Sequence, residues 1–364
     1  MKILYVTAKG GIHDYRFLKK LLDDYEVLLL HYAADEIIDE IRSLPGLKII
    51  SKKPLIKSFP LLTEYWHFKR ICNNFKPDII HTGYVWQVGI LAALHKAKHH
   101  LSMVWGSDVL TEPDRSILKK MLVRKVMQQA EHIQCDAEVV KQKIISDYST
   151  DSGKITVFPW GIDLSVFKPI DKKKCREQLS IPSDRFVIVF NRYLEQVYGV
   201  DYLLEGYRMF CRNKDNVLLL LITSGSLRTS VISFISNHGL EDKVRLISMV
   251  PNRELPEFLN ASDVYISTSL SDGTSLSLLE AMACGLGLVV TDVPAIKEWV
   301  SGENGILISR KNSEEVCNAL ETYYNNRDLI MMHGKISILE AQKRADWDKN
   351  YLKLRDIYTR ILAK

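Results

Sequence analysis

Short apolar runs of strand length, alternating with longer amphipathic stretches, constrain this chain more than any other feature. The first half offers "KILYVTA", "YEVLLLHY", "LKII", "DIIHTG", "LSMVWG", "HIQCDA" and "ITVFPWG", with helical patterns such as "YRFLKKLLDD" and "VWQVGILAALHKA" between most of them. The runs are continuously apolar rather than alternating, as strands buried on both faces of a parallel sheet must be. The order then begins again with "RFVIVFN", "VLLLLITS", "VRLISMV", "DVYISTS", "GLVVTD" and "GILIS". Between the two series lies "FPWGIDLSVFKPIDKKKCREQLSIPSD", rich in Pro, Gly and charge, which reads as an interdomain segment. The expected fold class is α/β: two doubly wound, Rossmann-like parallel-sheet domains facing a cleft, over 1–165 and 166–345. A helical stretch, 346–364, follows. Ligands of such sheets bind at the carboxyl ends of the strands.

Bulk properties narrow the function classes. A chain of 364 residues, 46% hydrophobic and 26% charged, can bury two proper cores. The net charge of +5 is mild and implies no nucleic-acid partner. Its basic excess leans toward the first half, in "SKKPLIKSFP" and "RSILKKMLVRK", which read either as solvated faces or as a peripheral contact with an anionic membrane. Six scattered cysteines without a CxxC pair, and ten histidines without ligand spacing, argue against a disulfide framework or a zinc site. No apolar run approaches the ~20 residues of a membrane span. The expected location is cytoplasmic, at most peripheral at the inner face of a membrane.

Three motifs sit where a ligand belongs. Gly10 and Gly11 follow the first strand and open a helix, a turn that brings bare N–H groups toward a ligand. Arg192, just past the first strand of the second series, suits phosphate oxygens, with a surface salt bridge as the alternative. In "SDGTSLSLLEAMAC", Thr274 or Ser275 is a natural N-cap, so the helix aims its positive end into the crevice as an anion seat. Asp272 stays in the turn and Glu280 falls on the helix. The two acids therefore bracket the seat rather than face one another, and each can accept hydrogen bonds from a pair of sugar hydroxyls. The alternatives are an ordinary turn former at Asp272 and a solvent-facing helical residue at Glu280.

These residues resemble family-four glycosyltransferases of the GT-B fold. "SDGTSLSLLEAMACGLGLVVTDVPAIKEWVSGENGILI" is similar to that family's nucleotide-sugar signature, and "NRYLEQVYGVDYLLEGY" resembles its diphosphate loop. "ITSGSLR" resembles the glycine turn of the next strand, and "ADWDKNYLKLRDIYTRIL" the terminal helix that crosses back to the first domain. The resemblance implies donor contacts from Gly10, Gly11, Arg192, Tyr198, Gly225, Arg228, Asp272, Gly273, Thr274, Ser275, Leu276 and Glu280. It gives Arg192 and Asp272 the catalytic roles, with Glu280 on the ribose and Asp272 on the transferred sugar. On that assignment Glu280→Gln weakens the bare nucleoside diphosphate, whereas Asp272→Asn spares it.

The chain departs from the family pattern in three places. The first acid is Asp272 rather than glutamate. The usual phosphate-binding lysine is replaced by Tyr198, with Arg228 or Lys297 as substitute cations. "VWGSDVL" puts Trp105, Gly106 and Asp108 where a histidine–glycine pair is common, and His81 is expected beside them on the acceptor side. The implied activity is transfer of a hexose from a nucleoside-diphosphate sugar to a glycan, lipid-linked or small-molecule hydroxyl. Configuration is retained, and neither metal nor cofactor is needed. A nucleotide-sugar epimerase and a catalytically silent partner subunit are the alternatives.

Overall fold

The computed structural model describes residues 1–8, 10–32, 37–51, 60–111, 113 and 116–363. They fall into two compact units, Met1–Phe158 with Tyr351–Lys364, and Pro159–Asn350. Each contains one wholly parallel sheet.

The first unit's sheet comprises β1 (Lys2–Thr7), β2 (Glu26–His31), β3 (Lys48–Ser51), β4 (Ile79–Gly83), β5 (His100–Met103), β6 (His132–Cys135) and β7 (Ile155–Val157). Its strand order is β3-β2-β1-β4-β5-β6-β7, so the order reverses between β1 and β4, where Thr7 lies beside Gly83. Leu4, Val6, Leu28, Leu30 and Ile80 pack on Phe68, Ile71, Val88 and Leu91 from the covering helices. The terminal helix Trp347–Leu362 joins this unit from Tyr351 onward. Tyr351 donates to the Lys20 carbonyl (3.0 Å) and Asp24 (2.9 Å), and Tyr358 meets the buried His81.

The second unit holds β8 (Phe186–Phe190), β9 (Val217–Ile222), β10 (Val244–Ile247), β11 (Val264–Ser267), β12 (Gly287–Thr291) and β13 (Ile306–Ile308). They are ordered β10-β9-β8-β11-β12-β13. The order reverses between β8 and β11, where Tyr265 lies beside Val189. A doubly wound sheet opens its ligand crevice at the carboxyl ends of the strands flanking such a reversal. The central strands, "FVIVF" and "VLLLLI", are buried along their whole length. Their apolar side chains share one core with Leu203, Tyr207 and Phe210 of the helix Val200–Phe210 and with Leu320 and Tyr323 of the helix Ser313–Asn325.

Residues 159–165, expected with the first domain, lie with the second. Ile162 exchanges main-chain hydrogen bonds with Ala345 and Trp347 (2.7 and 3.1 Å). Gly161, at φ +76°, lets the chain pass within reach of the Trp347 backbone, where a Cβ would stand 2.8 Å from Trp347 Cα. Among the described residues no helix is long and apolar enough to cross a membrane, and all six cysteines are free.

Candidate active site

The β8–β11 reversal collects the most concentrated chemistry in the second unit. β8 ends at Phe190, Arg192 follows two residues later, and the β11 loop returns at Asp272 before the helix Leu276–Cys284. Ser275 is the cap of that helix: its hydroxyl accepts from the Leu278 N–H at 3.4 Å, which resolves the choice between Thr274 and Ser275. Thr274 instead receives the Trp299 indole N–H (3.4 Å). The N–H groups of Leu276 and Ser277 have no intrahelical acceptor and add to the positive end of the helix dipole.

The Arg192 guanidinium lies beneath this helix end. Its Nη2 is 2.7 Å from Asp272 Oδ2, and its Nη1 donates to Ser275 Oγ (2.5 Å) and Ser277 Oγ (3.0 Å). The Tyr198 ring covers one face, 4.4 Å from the guanidinium carbon. Ser277 is held in turn by the buried Tyr265 hydroxyl at 2.9 Å. The Arg192 and Asp272 side chains are only 10% and 14% exposed, so this is a desolvated charge pair rather than a surface salt bridge. Burial works against the charge of Arg192, but Asp272, Tyr265 and Tyr198 hold its pKa above the ordinary value. Burial pushes the Asp272 carboxyl up, with Arg192 and the Gly273 N–H pulling the other way. Arg192 Nε and Asn191 Oδ1 are buried without a partner among the described residues.

Neighbouring loops keep this arrangement in register. Thr223 Oγ1 donates to the Arg192 carbonyl (2.5 Å), and Leu270 N–H to the Val197 carbonyl (2.8 Å). Glu195 accepts from both the N–H and the hydroxyl of Ser226 (2.8 and 2.6 Å). Gly225, at φ +147°, faces the Leu194 backbone, with Leu194 O 2.6 Å from where a Cβ would be. Its glycine is thus explained by loop packing.

Glu280 is buried on the helix, which removes the solvent-facing alternative. Gly273 and Leu276 are buried as well. Arg228 opens the helix Arg228–Asn237 half-buried, and Lys297 is exposed at the end of the short helix Pro294–Lys297. Neither forms an ion pair among the described residues, and neither joins the Arg192–Asp272 cluster. Tyr198 meets Arg192 through its π-face.

In the first unit several expectations are corrected. The Gly10 and Gly11 N–H groups hydrogen-bond the fully buried Asp14, whose Oδ2 lies 3.1 Å from Gly11 N. Burial raises the Asp14 carboxyl to about 6, with Tyr5, Thr7 and these N–H groups pulling it back. His81 lines no surface: it is fully buried against Tyr5, Phe17 and Tyr358, and burial lowers it to about 3. Asp108 is equally buried and is used structurally, accepting from Trp105 N and Val85 N at 3.0 Å each. Gly106, at φ +91°, supplies the turn between them. Trp105 is half-buried and packs edge-on against His13.

Two groups escaped sequence reasoning. Ser277 completes the Arg192 cradle, a role hinted at only by the S-x-S spacing of Ser275 and Ser277. Tyr84, at φ +83°, leads β4 into a π-helical turn, Val85–Gly89, and no residue pattern announces it.

Profiles of two families match the chain. The one described as glycosyl transferases group 1 covers residues 171–347, and the one described as glycosyl transferase 4-like covers 2–137. The chain belongs to the family-four glycosyltransferases of the GT-B fold. Among curated relatives of this chain, the D-inositol 3-phosphate glycosyltransferase of Paenarthrobacter aurescens is 25% identical over 263 residues, 71% of this chain and 64% of that one. The enzyme of the same name from Arthrobacter sp. is 24% identical over 282 residues, 73% of this chain and 66% of that one. The match thus spans just under two thirds of these relatives' own length. Among solved structures, HepE of Anabaena in complex with UDP superposes with a TM-score of 0.84 at 18% identity, covering 99% of this chain and 100% of that one. A glycosyltransferase of Rickettsia africae gives 0.81 at 19% identity, covering 99% and 98%.

Proposed function

We propose that this glycosyltransferase moves a hexose from a nucleoside-diphosphate sugar to a hydroxyl of a glycan, lipid-linked or small-molecule acceptor, with retention of configuration. The observation that carries the reading is the buried Arg192 guanidinium under the N-terminus of the helix Leu276–Cys284, at the β8–β11 reversal. A guanidinium and a helix dipole converging on one point stabilise a departing diphosphate, and removing such a donor costs about two to three orders of magnitude in turnover. Asp272 and Glu280 read hydroxyls, Asp272 on the sugar and Glu280 on the ribose. The donor's own phosphate oxygen takes the acceptor proton, so the chemistry requires neither a metal nor a catalytic base from the chain. HepE has been solved with UDP-glucose and with UDP and glucose, which makes a uridine donor the first to test. The curated relatives make inositol 3-phosphate the first acceptor to test.

A peripheral contact with an anionic membrane is part of this proposal. The helix Ile117–Gln129 exposes Ile117, Leu118 and Met121 (64–83%) beside the exposed Arg124 and Lys125, the mixture an anionic interface attracts. Arg115, and residues 52–57 of the other basic run, lie outside the described residues.

The test is a thermal-shift screen of UDP, GDP and their common sugars. NMR of the reaction with inositol 3-phosphate and a lipid-phosphate acceptor then follows. A shift with one nucleotide and an anomer of unchanged configuration support the proposal. An epimerised sugar nucleotide without acceptor would assign an epimerase instead, and no nucleotide binding at all would assign a silent subunit. Sedimentation with anionic but not neutral liposomes at low salt tests the membrane contact.

A further inference from the structure

The Arg192–Asp272 pair raises a problem that the donor must solve. A phosphate takes a guanidinium best through two parallel N–H donors. Here Nη2 is held by Asp272 at 2.7 Å, and Nη1 by Ser275 and Ser277 at 2.5 and 3.0 Å. One ring face is covered by Tyr198 at 4.4 Å, which leaves Nε as the nitrogen without a partner. The carboxylate therefore stands where a phosphate oxygen would bind. Among the described residues no lysine forms an ion pair with either group, and Tyr198 supplies no charge, so guanidinium and carboxylate nearly cancel.

We infer that Asp272 is the resident counter-ion of Arg192, displaced by the donor's diphosphate and turned thereby toward the transferred sugar, so that it sets the preference for sugar nucleotide over bare nucleoside diphosphate. The inference rests on the proposed donor reading and deepens it. A bare nucleoside diphosphate must break the buried pair and leave a carboxylate beside its own negative charge, with the Gly273 N–H but no sugar hydroxyl to hydrogen-bond it. In a poorly hydrated site that repulsion is weakly screened. A sugar nucleotide displaces the same carboxylate but offers it hydroxyl donors, which offset the loss. Asp272 accordingly weakens the hold on the nucleotide product more than on the donor, and so favours product release after transfer. This reverses the expectation that Asp272→Asn leaves the bare nucleotide untouched.

The test is a double-mutant cycle by titration calorimetry, with UDP, GDP and the corresponding glucose nucleotides as probes. The proteins are the full chain, Asp272→Asn, Arg192→Ala and the double variant. Asp272→Asn is expected to bind the bare diphosphate at least fivefold tighter than the unmodified protein, with no matching gain for the sugar nucleotide. The gain should vanish in the Arg192→Ala background. Unchanged or weaker binding by Asp272→Asn, or a gain that survives without Arg192, overturns the inference and leaves the donor reading standing. Loss of all nucleotide binding in the unmodified protein overturns both. A merely structural role for Asp272 predicts weaker binding, the opposite sign. Asp272→Ser, checked for native circular dichroism, replaces Asp272→Asn if that variant does not fold.

Discussion

Gly199 lies directly under the main-chain carbonyl of Thr268, at φ +62°, and a Cβ there would overlap that oxygen. The contact joins the loop after β8 to the loop after β11. It is reinforced by the Thr268 hydroxyl, which donates to the carbonyls of Tyr198 and Gly199 at 3.0 Å each. Gly199→Ala must therefore either leave the left-handed region or push Thr268 away, and both movements shift Tyr198 off Arg192. We expect a loss of at least about 2 kcal/mol in urea unfolding, from left-handed strain plus overpacking. Nucleotide affinity should fall with it, whereas Gly302→Ala, with open space around the Cβ position, should change neither.

In the first unit, the Tyr358 hydroxyl and His81 Nδ1 are 2.6 Å apart, both buried, joining the terminal helix to β4. Tyr358→Phe keeps the packing but strands a buried ring nitrogen. The expected cost is about 1–3 kcal/mol in the unfolding of this unit, read by urea titration. A change below ~0.5 kcal/mol would show that the bond contributes nothing to the docking of the helix.

The same histidine gives the unit an acid sensitivity. Burial lowers His81 to about 3, below its unfolded value near 6.5, so its contribution is fully present above pH 6.5 and is lost as pH falls toward 3. The slope for one such group is about 1.4 kcal/mol per pH unit within that window. Asp14, raised to about 6, works the other way between its unfolded value and 6, so the raw pH profile mixes both. The readout is the difference between unmodified protein and His81→Gln at pH 7.5 and pH 5.0. The acid-induced loss should be smaller in the variant.

The strands were legible because "FVIVF" and "VLLLLI" are too continuously apolar to be anything but centrally buried, and the two series restart in the same order. The cap of the Leu276–Cys284 helix was legible because serine before an apolar run has few other uses. The Arg192–Asp272 pair was not: its partners are 80 residues apart, and they meet only once β8 and β11 are placed side by side. His81 was misplaced for a related reason. A histidine in a buried strand looks the same whether it faces a ligand or a core, and its partner Tyr358 lies 277 residues away. The Asp14 carboxylate beneath the glycine turn was missed because glycine signals a backbone bend, not what the exposed N–H groups bind.

Arg192 cannot be replaced by lysine on this geometry. A lysine ammonium could keep Asp272 or the two serines, but it lacks the planar fork that spans all three and the flat face that Tyr198 covers. We expect Arg192→Ala to lower turnover by about two to three orders of magnitude. Arg192→Lys should recover no more than about tenfold of that loss. Steady-state rates with the donor found by the thermal-shift screen check this. A loss below fivefold for Arg192→Ala would remove Arg192 from the diphosphate site.

Glu280 separates the two acids of the motif by the sign of their effects. It is buried on the second turn of the helix Leu276–Cys284. Glu280→Gln should weaken the bare nucleoside diphosphate about tenfold, or about 1.4 kcal/mol, through loss of charge-assisted hydrogen bonds to the ribose. Asp272→Asn should strengthen it. Titration of both variants with UDP and with 2′-deoxy-UDP gives the check. The Glu280 effect should shrink with the deoxy nucleotide, and an equal effect on both would place Glu280 away from the ribose.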